Sequence, residues 1–276
     1  MQEVTTLNDN YDNELQQNNA ENDKKKKNIK LILIFIIVFV VVFCGVYFGI
    51  QLYYNNSEPT TTTTKAAPST AQTTEKLADN PVDFKSLQSQ NSDIYAWIKV
   101  DGTKVDHPIV QSMENDEFYL KHDAYTKKWA DKGAVYTEMI NHKSFSDPIT
   151  VIYGHNGYGD TMFTTLHYFE KSDFFNKHSE FVIYTKGRKL TYQIVSAFKY
   201  DDRHILNSFN FADTAVLEDF QSFIQNPDSA VKNVRQQLDT TINKDSNIVI
   251  LSTCITNQKS NRYLVCGVLV KDEKTN

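Results

Sequence analysis

The stretch Ile248-Val249-Ile250-Leu251-Ser252-Thr253-Cys254 decides the fold of this chain. Apolar, largely β-branched residues make it read as a buried strand that ends on a cysteine. A polar connection rich in Asn, Gln, Ser and Lys follows, and then a second apolar run from Tyr263 to Val270. The two runs predict a β-hairpin with Cys254 at the mouth of one strand and Arg262 at the start of the next. Far upstream, Tyr153-Gly154-His155-Asn156 closes another strand candidate on a histidine. A thiol, an imidazole and a guanidinium are the components of a cysteine acyl-transfer site.

The hairpin also bears on cysteine pairing. If Cys254 faces Arg262 across the strands, antiparallel register places Cys266 opposite Ile250. That is four positions from Cys254, about 13 Å at a rise of ~3.3 Å per residue, whereas a disulfide tolerates Cα separations only to about 7 Å. Cys254 is therefore expected as a free thiol. Cys44 lies in an apolar segment and is expected to act as an apolar residue there.

Outward from the hairpin, the chain alternates short strands with turns. Strand candidates are Ala96–Val100, Lys104–Val110, Gly133–Thr137, Ile149–Tyr153, Glu180–Thr185, Lys189–Tyr200, Asn247–Cys254 and Tyr263–Val270, with Asp101-Gly102 and Lys186-Gly187 as turns. Many strands with tight turns imply a mainly β domain, a barrel or a sandwich, with helical additions. Phe84 to Ile94 has helical spacing, and Phe163, Leu166 and Phe169 mark a short amphipathic piece. Thr214–Ile224 and Ser229–Leu238 are expected as a helical insertion placed over the barrel mouth, with Val216, Leu217, Phe220 and Ile224 along one face.

The N-terminal quarter has a different character. Residues 1–28 are dominated by Asn, Gln, Asp and Glu and end in Lys24-Lys25-Lys26-Lys27, with little to bury. Leu31 to Ile50 carries no charge over roughly 20 residues, enough for a helix to cross a bilayer, so 29–54 is expected as a single transmembrane helix in contact with lipid. The lysines on its N-terminal side put that end in the cytoplasm and the rest of the chain outside. A cleaved signal peptide is the rival reading, but the apolar core is longer than the usual 7–15 residues. Residues 55–80, with Pro59-Thr60-Thr61-Thr62-Thr63-Thr64, read as an extended Thr/Pro stalk. The folded domain is expected at 81–271, followed by a short tail, 272–276.

The formal net charge of −5 implies no broad basic surface and argues against a nucleic-acid partner. No His-Glu-X-X-His or Cys-X-X-Cys occurs, and His122, His142, His167, His178 and His204 lack metal-site spacing, so neither a metal nor a cofactor is expected. Cys254 is the candidate nucleophile and His155 the acid/base. Arg262, always charged, is suited to an oxyanion or a substrate carbonyl, together with the backbone amide of Ile255.

Leu251-Ser252-Thr253-Cys254 with the later Arg262 resembles the Leu-X-Thr-Cys … Arg signature of sortases. Tyr153-Gly154-His155-Asn156, Met162-Phe163, Trp97-Ile98 and Pro108-Ile109-Val110-Gln111 are similar to the class B subgroup, as is the helical insertion before the cysteine strand. The likeness covers nearly all of Phe84 to Val270. Departures are Ile250 where the family has Thr, His107 where class B members have an aromatic, and Thr256-Asn257 where some relatives carry an Asp.

The resemblance implies a closed β-barrel of about eight strands and a transpeptidase that carries its catalysis on Cys254, His155 and Arg262. Its substrate would be a secreted protein with a C-terminal sorting signal, cleaved after Thr, and its acceptor the amine of a peptidoglycan precursor. Ser252, Thr253 and Asn156 are candidate substrate contacts. A pilin-polymerising sortase, a cell-wall cysteine peptidase or hydrolase, and a non-enzymatic surface binding protein remain open alternatives at this point.

Overall fold

A computed structural model describes residues 77–157 and 159–276. The tail expected at 1–28, the transmembrane helix expected at 29–54 and most of the stalk expected at 55–80 lie outside the described residues. Among those described, no helix is long and apolar enough to cross a membrane.

Nine strands form one sheet: β1 (Ile94–Val100), β2 (Asp106–Val110), β3 (Val135–Tyr136), β4 (Ile149–Tyr153), β5 (Glu180–Thr185), β6 (Arg188–Asp201), β7 (Lys232–Val234), β8 (Ile248–Ile255) and β9 (Gln258–Lys274). Their order is β5-β1-β2-β3-β4-β8-β9-β6-β7, and β6 pairs back onto β5, closing the first eight into a barrel. Two of the pairings, β2–β3 and β4–β8, are parallel, so the barrel is mixed.

The predicted hairpin is present in the predicted register. Cys254 pairs with Arg262 and Ile250 with Cys266, and both cysteines are free. The first half of β8, Ile248 to Leu251, is apolar because both of its faces are covered. Val249 and Leu251 point into the barrel core with Ile98, Ile194 and Val265. Ile248 and Ile250 point the other way, onto a second core built with Phe198, Leu217, Phe220 and Ile224.

Helix α1 (Phe84–Gln90) is capped by Asp83, whose side chain accepts from the N–H of Ser86. It is shorter than expected, because Asn91 turns the chain into β1. Leu166 and Phe169 belong to a 3₁₀ helix (Thr164–Glu170), and Phe163 is its N-cap residue. Their strict three-residue spacing matches three residues per turn and puts all three on one buried line. Helices α2 (Ser172–Lys177) and α3 (Ile205–Ser208) are short.

The insertion differs from expectation in two respects. Helix α4 (Thr214–Gln225) forms, but its apolar face packs on the outside of the sheet and not over the barrel mouth. Ser229–Leu238 is not helical: β7 lies within it and pairs with β6. The reason is an unpaired edge, since β5 reaches β6 only as far as Gln193. Beyond that, Lys199 N–H donates to Val231 O at 2.9 Å and Arg235 N–H to Val195 O at 2.8 Å.

The folded body also extends past 81–271. β9 runs to Lys274, Arg188 grips Asp272 through two nitrogens, and Ala78 bridges to Thr275. The expected C-terminal tail is therefore largely strand, held by the free edge of Arg188–Thr191.

Candidate active site

Cys254 gains its neighbours from strand register. On one side β9 sets Arg262 directly opposite it. On the other, the parallel pairing of β4 with β8 runs from Ile149–Ile248 to Tyr153–Ser252. The strand pairing ends there, with Gly154 N–H donating to Ser252 O at 3.1 Å, and His155 follows directly in the loop beyond. The three side chains line one cleft of about 280 Å³, whose wall also includes Tyr136, Glu138, Tyr153, Asp202 and His204.

Cys254 is exposed although the six β8 residues before it, Ile248 to Thr253, are buried. It lies on the outward-facing side of the strand, shared with Ile248 and Ile250, beyond the reach of the helical cover. Cys266, on that same side of β9, is fully buried, and burial pushes its thiol far up. Of these two thiols only Cys254 is placed for chemistry.

His155 Nε2 lies 2.7 Å from the carbonyl of Leu120. A carbonyl only accepts, so this nitrogen carries a proton, and Nδ1 is the atom left to take up or release one. Gly154 precedes it for lack of space: a Cβ there would meet the Phe163 ring at 2.5 Å. Arg262 Nη1 donates to the carbonyls of Lys259 and Asn261. These belong to the irregularity in β9, where the pairing jumps from Cys254–Arg262 to Ile255–Gln258. Ile255 is half-buried against the barrel core at that break.

Ser252 and Thr253 are buried and border the cleft. Asn156, expected with them among the substrate contacts, is not part of the lining. Its Nδ2 donates to Cys254 O and to Thr256 Oγ1, each at 3.0 Å.

Several groups of the site carry no signature in the sequence. The Leu120 carbonyl is a backbone atom. Glu138 faces the cleft, and burial pushes its carboxyl up against the opposing effect of His204, whose Nε2 sits 2.7 Å away. His167 reaches Cys254 O with Nε2 at 3.0 Å. In each case the partner is distant in the chain, so no local spacing could have shown it.

A family model for the sortase domain matches residues 98–270. The chain belongs to the sortase family. Sortases are cysteine transpeptidases, and the similarities of this one are to class B. It is 27% identical over 226 residues to sortase B of Listeria monocytogenes, covering 80% of this chain and 89% of that protein. The structure of Clostridium perfringens sortase B superposes with a TM-score of 0.59 at 30% identity, covering 68% of this chain and 99% of that one. A Streptococcus pyogenes class B sortase involved in pilus biogenesis gives a TM-score of 0.58 at 33% identity, covering 68% of this chain and 98% of that one. These similarities support the closed barrel as a fold shared with class B sortases.

Proposed function

We propose that this sortase cleaves a C-terminal sorting signal after Thr and joins the released carbonyl to an amine of a peptidoglycan precursor. Cys254 attacks the Thr carbonyl as a thiolate. An S–C bond forms, the amide C–N bond breaks, and protonated His155 gives its Nδ1 proton to the departing amine. The acceptor amine then attacks the thioester, loses a proton to His155, and releases the thiolate. Arg262 and the Ile255 N–H stabilise the oxyanion that forms in both halves. Ser252 and Thr253 contact the bound signal. One amide replaces another, so no nucleotide is consumed.

The observation that supports this reading is that Cys254, Arg262 opposite it on β9, and His155 just beyond the end of β4 line one cleft. The membrane part of the reading rests on sequence: the apolar helix at 29–54 anchors the protein in the lipid bilayer with the N-terminus inside, and the stalk at 55–80 holds the catalytic domain outside.

The test is incubation of the enzyme with sorting peptides and candidate amines, with products resolved by mass. We expect a peptide–amine product, an intermediate trapped by hydroxylamine, no product from Cys254→Ala, and a rate about 10²–10⁴-fold lower for His155→Ala. Thiol labelling by a sorting-peptide analogue that is indifferent to His155→Ala would exclude the scheme. A second reading, pilus assembly, is favoured by the likeness to the Streptococcus pyogenes enzyme. It differs in the acceptor, a lysine amine of a pilin subunit, and the same incubation distinguishes the two. Release of free acid alone would identify a hydrolase.

A further inference from the structure

On its β4 side, β8 runs out of backbone partners at its catalytic end. The carbonyl of Ser252 accepts from the N–H of Gly154 at 3.1 Å, on the β4 side of the strand. Strand alternation turns the Cys254 carbonyl to that same side, but β4 has ended at Tyr153. Two side chains take the place of the missing strand: Asn156 Nδ2 and His167 Nε2 each lie 3.0 Å from Cys254 O.

Both donors are themselves held. His167 Nδ1 donates to Glu170 Oε1 at 2.6 Å and Nε2 to Cys254 O, so both ring nitrogens carry hydrogens and the ring is an imidazolium paired with Glu170; it stacks on Tyr263 with centroids 5.0 Å apart. The second Asn156 hydrogen goes to Thr256 Oγ1 in the β8–β9 turn. Glu170, His167, Asn156 and Thr256 thus link the 3₁₀ helix, the His155 loop and the nucleophile turn through one carbonyl oxygen.

We infer that His167 and Asn156 are positioning residues that aim the oxyanion donor. The Cys254 carbonyl and the Ile255 N–H belong to one planar trans peptide, so they point in opposite directions. Fixing the carbonyl on the β4 side turns the Ile255 N–H toward β9, the side from which Arg262 enters. The ladder jumps there, from Cys254–Arg262 to Ile255–Gln258, so regular pairing is interrupted across this peptide. Donors on the carbonyl also polarise the amide and strengthen its N–H as a donor. The inference rests on the sortase chemistry proposed above, and its consequence is specific: losing His167 slows acyl transfer without disarming the thiol.

The decisive comparison uses His167→Ala, His167→Gln and Glu170→Gln. For each, kcat and KM are measured on a quenched-fluorescence sorting peptide, together with the rate of Cys254 alkylation by iodoacetamide. Alkylation needs the thiolate but forms no oxyanion. We expect His167→Ala to lower kcat about 10- to 100-fold with KM and alkylation within about twofold of the parent. His167→Gln, whose amide can donate to the same carbonyl, restores most of the rate. Glu170→Gln, which loosens the ring without removing it, gives a smaller loss and serves if the alanine variant does not fold. An unchanged kcat in His167→Ala, a parallel fall in alkylation, or a glutamine variant as slow as alanine would each overturn the inference.

A substrate-free measurement separates its failure from that of the proposed reaction. The ¹⁵N order parameter of the Ile255 amide should be high in the parent and in His167→Gln, and lower in His167→Ala. Equal values in all three would overturn the positioning role even if no sorting peptide were cleaved.

Discussion

At the residue scale, the site depends as much on what is absent as on what is present. Gly154 has an ordinary negative φ, so its need for glycine is spatial: Phe163 lies across its Cα, and a Cβ would meet three ring atoms at 2.5 to 2.9 Å. The ring is fully buried and cannot withdraw. We expect Gly154→Ala to cost about 1–3 kcal/mol in denaturant unfolding and to slow catalysis, because the displaced backbone carries His155. Adding Phe163→Leu should recover part of both; a double variant no better than the single one would mean that the contact is not the cause. Reactivity is likewise a matter of placement. Cys254 should react quickly with a thiol reagent in the folded protein, while buried Cys266 should react only after unfolding, as mass spectrometry of the labelled peptides will show.

At the scale of the element, β8 is the strand on which the molecule turns. Its two buried faces belong to different cores, the barrel interior and the layer beneath α4. Ile250, with no exposed surface, sits on the α4 side, two turns of the pleat from Cys254. Truncation to alanine leaves a hole that neither the sheet nor the helix can close alone. We expect a loss of about 2–5 kcal/mol, seen as a lower urea midpoint with an unchanged slope. A changed slope would instead point to separate unfolding of the α4 layer. The 3₁₀ helix shows how spacing reads at this scale: Phe163, Leu166 and Phe169 recur every third residue, and the backbone winds to suit them. Ser229–Leu238 shows the opposite, where the open edge of β6 recruits Val231 to Arg235 as a strand against their helical spacing.

At the scale of the whole molecule, the barrel must hold the Leu120 carbonyl in place for His155, and a polar cluster behind it does so. Tyr119 donates to Asp93 at 2.6 Å, Lys127 reaches the same carboxyl at 2.7 Å, and Asn91 donates to Tyr119 and to Ala124 O. Burial pushes the Asp93 carboxyl up, but the hydrogen bonds of Lys127 and Tyr119 and the charges of Lys127 and Lys143 outweigh it. The group therefore titrates below its ordinary 3.8. A carboxyl whose folded value lies below its unfolded one stabilises fully above the unfolded value and ceases to do so as pH falls through the folded one. Asp93→Asn should thus cost about 1–2 kcal/mol near neutral pH, and its difference from the parent should fade below pH ~3.8 in thermal or urea unfolding. A difference that persists undiminished in acid would show that packing and not charge is at work.

Much of this design is legible in the amino-acid order. The β8–β9 hairpin and its register, the free cysteines, the strand ends carrying Cys254 and His155, and α4 follow from periodicity and turn residues, which act between near neighbours. The sortase motif adds Arg262 and the family. What only the tertiary structure decides is which strand flanks β8 on its other side. The parallel β4–β8 pairing joins segments far apart in the chain, and barrel closure, not local spacing, selects it. That pairing brings His155 to the cleft that Cys254 lines, and where β4 ends it leaves a carbonyl for Asn156 and His167 to hold. A hydrogen bond between distant residues leaves no period in the sequence, so this last layer of the site appears only once the barrel has closed.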